Sequence, residues 1–178
     1  MLDRDGVINR RLIGNYVRRW DEFEFMEGVL EAMPILADYF QTIVVVTNQQ
    51  GIAKGIMTEK DLQLVHQKMV ATIEKSGGRI DKVYYCKEHE RDNPHNRKPN
   101  IGMAEQAQKD FPYINFDNTV MVGDSVSDMV FGQRLGAQTA LLTTKPDIDQ
   151  AALQLIAPSI SWVGDSLWQL AQEIETVI

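Results

Sequence analysis

The sequence predicts an α/β fold, a mainly parallel sheet with helices on both faces. Two observations carry that prediction. The runs Ile43-Val44-Val45-Val46 and Thr119-Val120-Met121-Val122 are continuous and apolar, as strands buried on both faces are, and each gives way to polar or glycine-containing residues. Helical and strand-like patterns then alternate along the chain, which calls for crossover connections and hence parallel pairing. At 178 residues, 44% of them hydrophobic and 24% charged, the chain suffices for one domain with its own core, assigned to residues 1–178.

In chain order, the first helix is expected from Glu27 to Phe40, leading into the strand at Ile43–Val46. The next runs from Glu59 to Lys75. Thr58, with Asp61 three residues on, opens it, and Gly77-Gly78 stops it. Lys82 to Tyr85 is a weaker strand, followed by a helix from Gly102 to Asp110 and the strand at Thr119–Val122. A helix over Ser127–Leu135 ends at Gly136. Gln138–Leu142 and Ser159–Trp162 are further weak strands, and the last helix, Ser166 to Ile178, gathers Leu167, Leu170, Ala171, Ile174 and Ile178 on one face. Asn9–Met26 and Cys86–Asn100 are the least regular stretches, and long loops in compact α/β domains are more often functional than idle.

The net charge of -7 disfavours a broad phosphate-backbone footprint, so no nucleic-acid partner is expected. One cysteine excludes an intrachain disulfide. With no signal pattern at Met1 and no apolar run of spanning length, the expectation is a soluble, cytoplasmic chain with no membrane partner.

In parallel α/β folds ligands sit at the carboxyl ends of strands. There the sequence places "TNQQGIAKG" after Ile43–Val46 and "GDSVSD" after Thr119–Val122, with "LDRDGV" at the start and "NRKPNIGM" in a loop able to reach the same edge. Each has a plain structural reading on its own: Thr47-Asn48 as an ordinary β-to-α turn, Asp124 with its serines as a helix cap, Lys98 as a surface lysine. Together they suit phosphoryl transfer through an aspartyl-phosphate. A carboxylate approaching a phosphate monoester dianion needs a divalent cation and a fixed positive group. Asp3 and Asp124 can supply oxygen ligands to Mg²⁺, with Lys98 as the fixed cation. Thr47, Asn48 and backbone N–H groups can hold the remaining phosphate oxygens. Asp5, two residues beyond Asp3 and next to a turn at Gly6, is placed to move protons for the leaving group and then the water.

These four segments, in this order and spacing, resemble the haloacid dehalogenase superfamily of Mg²⁺-dependent phosphatases. More narrowly, "LDRDGVIN", "NYVRRWDEFEFMEGV", "TNQQGIAKG", "RKPNIGM" and "VGDSVSDM" are similar to its branch of histidinol-phosphate and heptose-bisphosphate phosphatases. The resemblance covers residues 1 to about 145. It implies a three-layer, Rossmann-like core. It also implies Asp3 as nucleophile, Asp5 as acid/base with its backbone carbonyl on Mg²⁺, and Asp124 as a metal ligand. Thr47 and Lys98 would hold the transferring phosphate and Arg97 the substrate. Asp128, one helical turn beyond Asp124, would support the metal through water or orient Lys98. The substrate implied is a small phosphorylated metabolite, with D-glycero-D-manno-heptose 1,7-bisphosphate ahead of histidinol phosphate. A polynucleotide 3′-phosphatase and a weakly catalytic phospholigand-binding protein are the alternatives.

The chain departs from that pattern in three places. Members often carry a zinc loop, whereas "CKEHERDNPHNRKP" holds Cys86, His89 and His95 without a second cysteine, so a mixed metal site competes with a plain loop. Only Met1 and Leu2 precede Asp3, so the first strand is expected to be stunted, whether through a chain that starts inside it or a short strand. The intervals from Asp5 to Thr47 and from Thr47 to Lys98 leave no room for a cap domain. Specificity must then come from loops. Arg10, Arg11, Arg18 and Arg19 are candidates to grip a second phosphate or carboxylate, against a solvated basic face, and Tyr16, Trp20, Phe23 and Phe25 read as loop packing rather than a sugar platform.

Overall fold

The structure, a computed structural model, describes residues 1–176. Along them run strands β1 (Val44–Asn48), β2 (Lys82–Cys86), β3 (Val120–Gly123), β4 (Gln138–Leu142) and β5 (Trp162–Gly164). The helices are α1 (Val29–Tyr39), α2 (Glu59–Lys75), α3 (Gly102–Asp110), α4 (Val126–Leu135), α5 (Gln150–Ile156) and α6 (Leu167–Thr176). β1 pairs with β2, and β3 with β4 and β4 with β5, all in parallel.

The two halves of the sheet meet at Leu2, which bridges Val45 on one side and Val122 on the other, both in parallel. Its N–H donates to the Val44 carbonyl at 2.9 Å and its carbonyl accepts from Val46 at 2.9 Å. On the other side the Asp3 N–H donates to Val122, and the Val122 N–H to Met1, each at 2.9 Å. The first strand is therefore stunted, as predicted, yet it occupies the centre of the sheet. The strand order is β2, β1, the Leu2 segment, β3, β4, β5.

Successive residues of a strand point to opposite faces, and the two cores follow that rule. Leu2, Val45, Val122, Ala140 and Leu142 pack on one face with residues of α1, α2 and α6. Val44, Val46, Tyr84, Cys86 and Met121 pack on the other with Met103, Ala104 and Ala107 of α3 and Phe131 of α4. The result is the predicted helix–sheet–helix arrangement. α2 opens with the expected capping box, in which the Asp61 N–H donates to Thr58 Oγ1 and the Thr58 N–H to Asp61 Oδ2.

Some boundaries differ from the sequence reading. α1 begins at Val29, because Gly28 adopts φ +75 and a Cβ there would lie 2.7 Å from Cβ of Trp168 on α6. Ser159–Trp162 is not a strand: Ala157–Ser159 forms a 3₁₀ turn around Pro158, and β5 starts only at Trp162. α5 was not predicted; Asp149 caps it by accepting from the Ala152 N–H at 3.0 Å. Leu167, Leu170 and Ala171 of α6 are buried as expected, while Ile178 lies outside the described residues.

Since Leu2 is 4% exposed and joins both halves of the sheet, Leu2→Ala should lower the free energy of unfolding by about 2–4 kcal/mol. Urea denaturation measures this, and a loss below about 1 kcal/mol would deny Leu2 its joining role.

Candidate active site

The carboxyl ends of the central strands bring the predicted residues to one place. Asp3 follows the Leu2 segment, Thr47 and Asn48 end β1, Asp124 follows β3, and Lys98 arrives from the loop before α3. Asp3, Asp124 and Asp128 are buried, and one oxygen from each lies within 4.8 Å of the others. Such proximity is repulsive unless cations compensate it. Lys98, itself buried, stands 2.9 Å from Asp3 Oδ1 and 2.5 Å from Asp128 Oδ1. Burial pushes the Asp3 carboxyl up, with Asp128 and Asp5 adding to the rise, while Lys98 opposes it. For Lys98 burial favours the neutral amine, but Asp128 and Asp3 outweigh it and hold the ammonium form.

The backbone has to be bare for the carboxylates to come this close. Gly6 has φ +93, and a Cβ on it would meet Asp124 Oδ2 at 1.9 Å. Gly123 faces Asp128 in the same way, with 2.2 Å between its notional Cβ and that of Asp128. Asp128 has both oxygens engaged: Oδ1 takes Lys98, and Oδ2 accepts from the Ser125 N–H and hydroxyl at the start of α4.

Asp5 lives in a different environment. Arg4, fully buried, donates from Nη2 to both Asp5 oxygens at 2.8 and 2.9 Å, and Asn9 and Gln49 donate at 3.0 and 2.8 Å. Burial raises the Asp5 carboxyl, but the charge of Arg4 and these hydrogen bonds outweigh it and hold the group below the usual carboxylate range. The Arg4 guanidinium also contacts His66 Nε2 at 3.2 Å. Burial first, and Arg4 second, push that imidazole down to about 3, so it is neutral at physiological pH.

Among the four loop arginines, Arg11 is the one that reaches the carboxylates. Its Nη2 donates to Asp124 Oδ1 at 2.6 Å and to the Asp5 carbonyl at 2.8 Å, and its Nε to Asp124 Oδ2 at 3.1 Å. Burial drives Asp124 up to about 7, with Arg11 pulling against it. Arg18 and Arg19 do not face this site: Arg18 pairs with Glu22 at 2.6 Å and Arg19 with Asp21 at 3.1 Å, on the exposed turn Trp20–Glu22. The turn supplies its own acidic partners, which corrects the expectation that these two grip substrate. Arg10 pairs with Glu24, also away from the site.

A cleft of about 540 Å³ lies over the carboxylates, lined by Asp3, Asp5, Arg11, Thr47, Asn48 and Lys98. Tyr16, Lys54, Arg97 and Lys145 line it as well, together with the acidic Glu90 and Asp147, and Arg97 pairs with Glu90 at 3.2 Å. Trp20, Phe23 and Phe25 pack on one another, with ring centroids of Phe23 5.0 Å from both partners, as loop packing predicts. Tyr16 departs from that reading: it faces the cleft, and its hydroxyl accepts from Lys54 Nζ at 3.0 Å. Asn48 lines the cleft too, but its amide is spent on Lys98, accepting from the backbone N–H at 3.0 Å and donating to the carbonyl at 3.1 Å. Thr47 Oγ1 accepts from Gln49 at 2.9 Å, leaving its own proton for a ligand.

Known proteins of this construction exist. A D-glycero-alpha-D-manno-heptose-1,7-bisphosphate 7-phosphatase of Mycobacterium bovis is 33% identical over 174 residues, 96% of this chain and 87% of that protein. The chain belongs to the haloacid dehalogenase-like phosphatases. A family model described as HAD-hyrolase-like matches residues 95–170, the stretch that carries Lys98 and Asp124. The D-glycero-beta-D-manno-heptose-1,7-bisphosphate 7-phosphatase of Escherichia coli K12 is 34% identical over 183 aligned positions, covering 98% and 92% of the two chains. Among solved structures, the D,D-heptose 1,7-bisphosphate phosphatase of B. bronchiseptica, complexed with magnesium and phosphate, superposes with a TM-score of 0.86 at 26% identity, covering 99% and 97%.

The stretch before α3 carries the candidate ligands of the mixed metal site, Cys86, His89 and His95. Among the described residues these do not come together as a metal-binding group: Cys86 Sγ lies 3.2 Å from Glu88, and His95 Nε2 lies 2.6 Å from Glu105. Sequence reasoning passed over Arg4, Gln49, Lys54 and Lys145. Gln49 and Lys145 follow the carboxyl ends of β1 and β4, the positions where ligand contacts concentrate, so that signal was available. Nothing in the spacing distinguished Arg11 from Arg10.

Arg4→Met should cost on the order of 3 kcal/mol at pH 7, because it strands the Asp5 carboxylate among groups that no longer balance it. In the native chain the depressed Asp5 contributes stability above its unfolded pKa that is lost on acidification. Without Arg4 the folded state prefers the protonated acid, so the deficit should shrink toward pH 4. Urea melts of both chains across pH 4–8 check this; a deficit independent of pH would contradict it.

Proposed function

We propose that the chain hydrolyses the 7-phosphate of D-glycero-D-manno-heptose 1,7-bisphosphate through an aspartyl-phosphate on Asp3. The single observation carrying this reading is the convergence of Asp3, Lys98 and Thr47 on one cleft, with Asp124 buried beside Asp3. The relatives named above, one directed to the α and one to the β anomer, support the heptose bisphosphate as substrate.

The donor set fits a hard divalent cation: carboxylate oxygens of Asp3 and Asp124 and the Asp5 carbonyl surround one small volume, in which the structure already seats a positive charge from Arg11. Mg²⁺ held there by Asp3, Asp124 and the Asp5 carbonyl would supply the charge that lets a carboxylate approach a phosphate dianion. Lys98 and the Thr47 hydroxyl bind the transferring phosphate from the other side. Asp128 acts on Lys98, fixing the ammonium while Ser125 fixes Asp128 in turn. Asn48 sets the backbone at Lys98.

In the first step an Asp3 oxygen bonds to phosphorus as the bond from phosphorus to the sugar oxygen breaks, and Asp5 delivers a proton to that oxygen. In the second, water attacks the phosphorus of the aspartyl-phosphate, the Asp3–phosphorus bond breaks, and Asp5 takes the water's proton. The grip of Arg4, Asn9 and Gln49 keeps Asp5 in its carboxylate form, the form the second step requires. For the first step the protonated group has to be one that has turned out of that grip. Lys54 and Lys145 line the cleft beside Arg97, which pairs with Glu90 at 3.2 Å, and they offer cations to the second phosphate of a bisphosphate, which favours this substrate over histidinol phosphate.

The test is phosphate release from heptose 1,7-bisphosphate and from histidinol phosphate in parallel, with Mg²⁺ and with chelator, and with Asp3→Asn as the blank. Expected is release of one phosphate per bisphosphate, dependent on Mg²⁺, absent in Asp3→Asn and reduced about 10²–10⁴-fold in Asp5→Asn. Preference for histidinol phosphate would overturn the substrate assignment, and full activity in Asp3→Asn would overturn the mechanism.

A further inference from the structure

Arg11 occupies the oxygens that the metal reading assigns to Mg²⁺. Its Nη2 is shared between Asp124 Oδ1 at 2.6 Å and the Asp5 carbonyl at 2.8 Å, and stands 4.0 Å from Asp3 Oδ2. Its Nε closes a two-point contact on Asp124 at 3.1 Å. A divalent cation coordinates such oxygens at about 2.0–2.1 Å and cannot do so while Nη2 keeps both. Arg11 and the metal are therefore alternative occupants of one place.

We propose that Arg11 is a built-in competitor for the divalent cation, so that metal binding requires this guanidinium to leave the carboxylates. The inference rests on the metal reading given above. Three further features support it. Three buried carboxylates face one lysine, so without a second cation the cluster carries an uncompensated charge, and Arg11 supplies what is missing. The side chain is one-third exposed, unlike that of Lys98 at 1%, so it has solvent to move into. It also stands next to an open loop tip, where Ile13 is 77% exposed and Gly14, at φ +68, has no heavy atom within 4 Å of a notional Cβ, so nothing packs over the space beside it.

Two consequences follow. Removing the guanidinium should strengthen metal binding, although it deletes a group from the centre of the site. The same change should weaken the fold in the absence of metal, because the carboxylates lose their second counter-charge, and matter less once metal replaces it. A residue that merely shaped the site would produce weaker metal binding instead.

The experiment measures Mn²⁺ affinity by electron paramagnetic resonance on chelator-stripped protein, with no substrate present, for the native chain, Arg11→Gln, Arg10→Gln and Asp124→Asn. Thermal unfolding is followed in chelator and in saturating Mg²⁺. Expected are Mn²⁺ affinity about tenfold higher in Arg11→Gln and near-native in Arg10→Gln, which makes the same charge change outside the site. The Tm of Arg11→Gln should fall in chelator and recover toward native in Mg²⁺. If Arg11→Gln does not fold, Arg11→Lys replaces it: its ammonium cannot span both Asp124 oxygens and the Asp5 carbonyl, so affinity should again rise. Unchanged or weaker Mn²⁺ binding in the Arg11 variant, with Asp124→Asn losing it, overturns the competition while leaving the metal site standing. Native binding in Asp124→Asn overturns the metal reading beneath it, and the competition with it.

Discussion

Three buried carboxylates within 4.8 Å of one another set the terms for the rest of this structure. At 4 Å two like charges repel by about 4 kcal/mol even at an effective dielectric near 20. Lys98 and Arg11 answer that repulsion from opposite sides, one from the loop before α3 and one from the loop before α1. The bare backbones of Gly6 and Gly123 let the acids approach, and Ser125 and Asn48 hold the side chain and backbone that position Lys98. Neighbouring groups of the sheet edge are thus arranged around one electrostatic problem. A site that concentrates negative charge and then needs cations to persist is also one prepared to take a cation and a phosphate together.

Asp3 and Asp5 show how two identical side chains, two residues apart, acquire opposite characters. Asp3 lies in the carboxylate cluster, where burial and like charges raise it and Lys98 opposes them at close range. Asp5 swings past the Gly6 turn into the hands of Arg4, Asn9 and Gln49, which hold it ionised. Both carboxylates thereby line one cleft with opposite tendencies toward the proton. The residue between them does this sorting: Arg4 is fully buried against a neutral His66 and cannot turn to solvent.

Much of this was legible in the sequence because it depends on local pattern. Continuous apolar runs named β1 and β3, polar clusters at their carboxyl ends named Thr47 and Asp124, and the opening segment and the loop before α3 named Asp3 and Lys98. Loop side chains were harder, since their partners are set by tertiary contacts that no spacing encodes. Arg18 and Arg19 looked like phosphate ligands and proved to have acidic partners within three or four residues, whereas Arg11 found its partner at Asp124, 113 residues away. The short α5 and the displaced β5 escaped because a 3₁₀ turn at Pro158 interrupts a stretch whose periodicity is weak.

The account turns on a covalent bond at Asp3. Rapid quenching of the enzyme during turnover, followed by borohydride reduction and peptide mass spectrometry, reads that bond directly, since an aspartyl-phosphate is reduced to homoserine and a free aspartate is not. The account predicts homoserine at position 3, formed only with substrate, and intact aspartate at positions 5 and 124. Homoserine at position 5, or none anywhere during steady turnover, would contradict it.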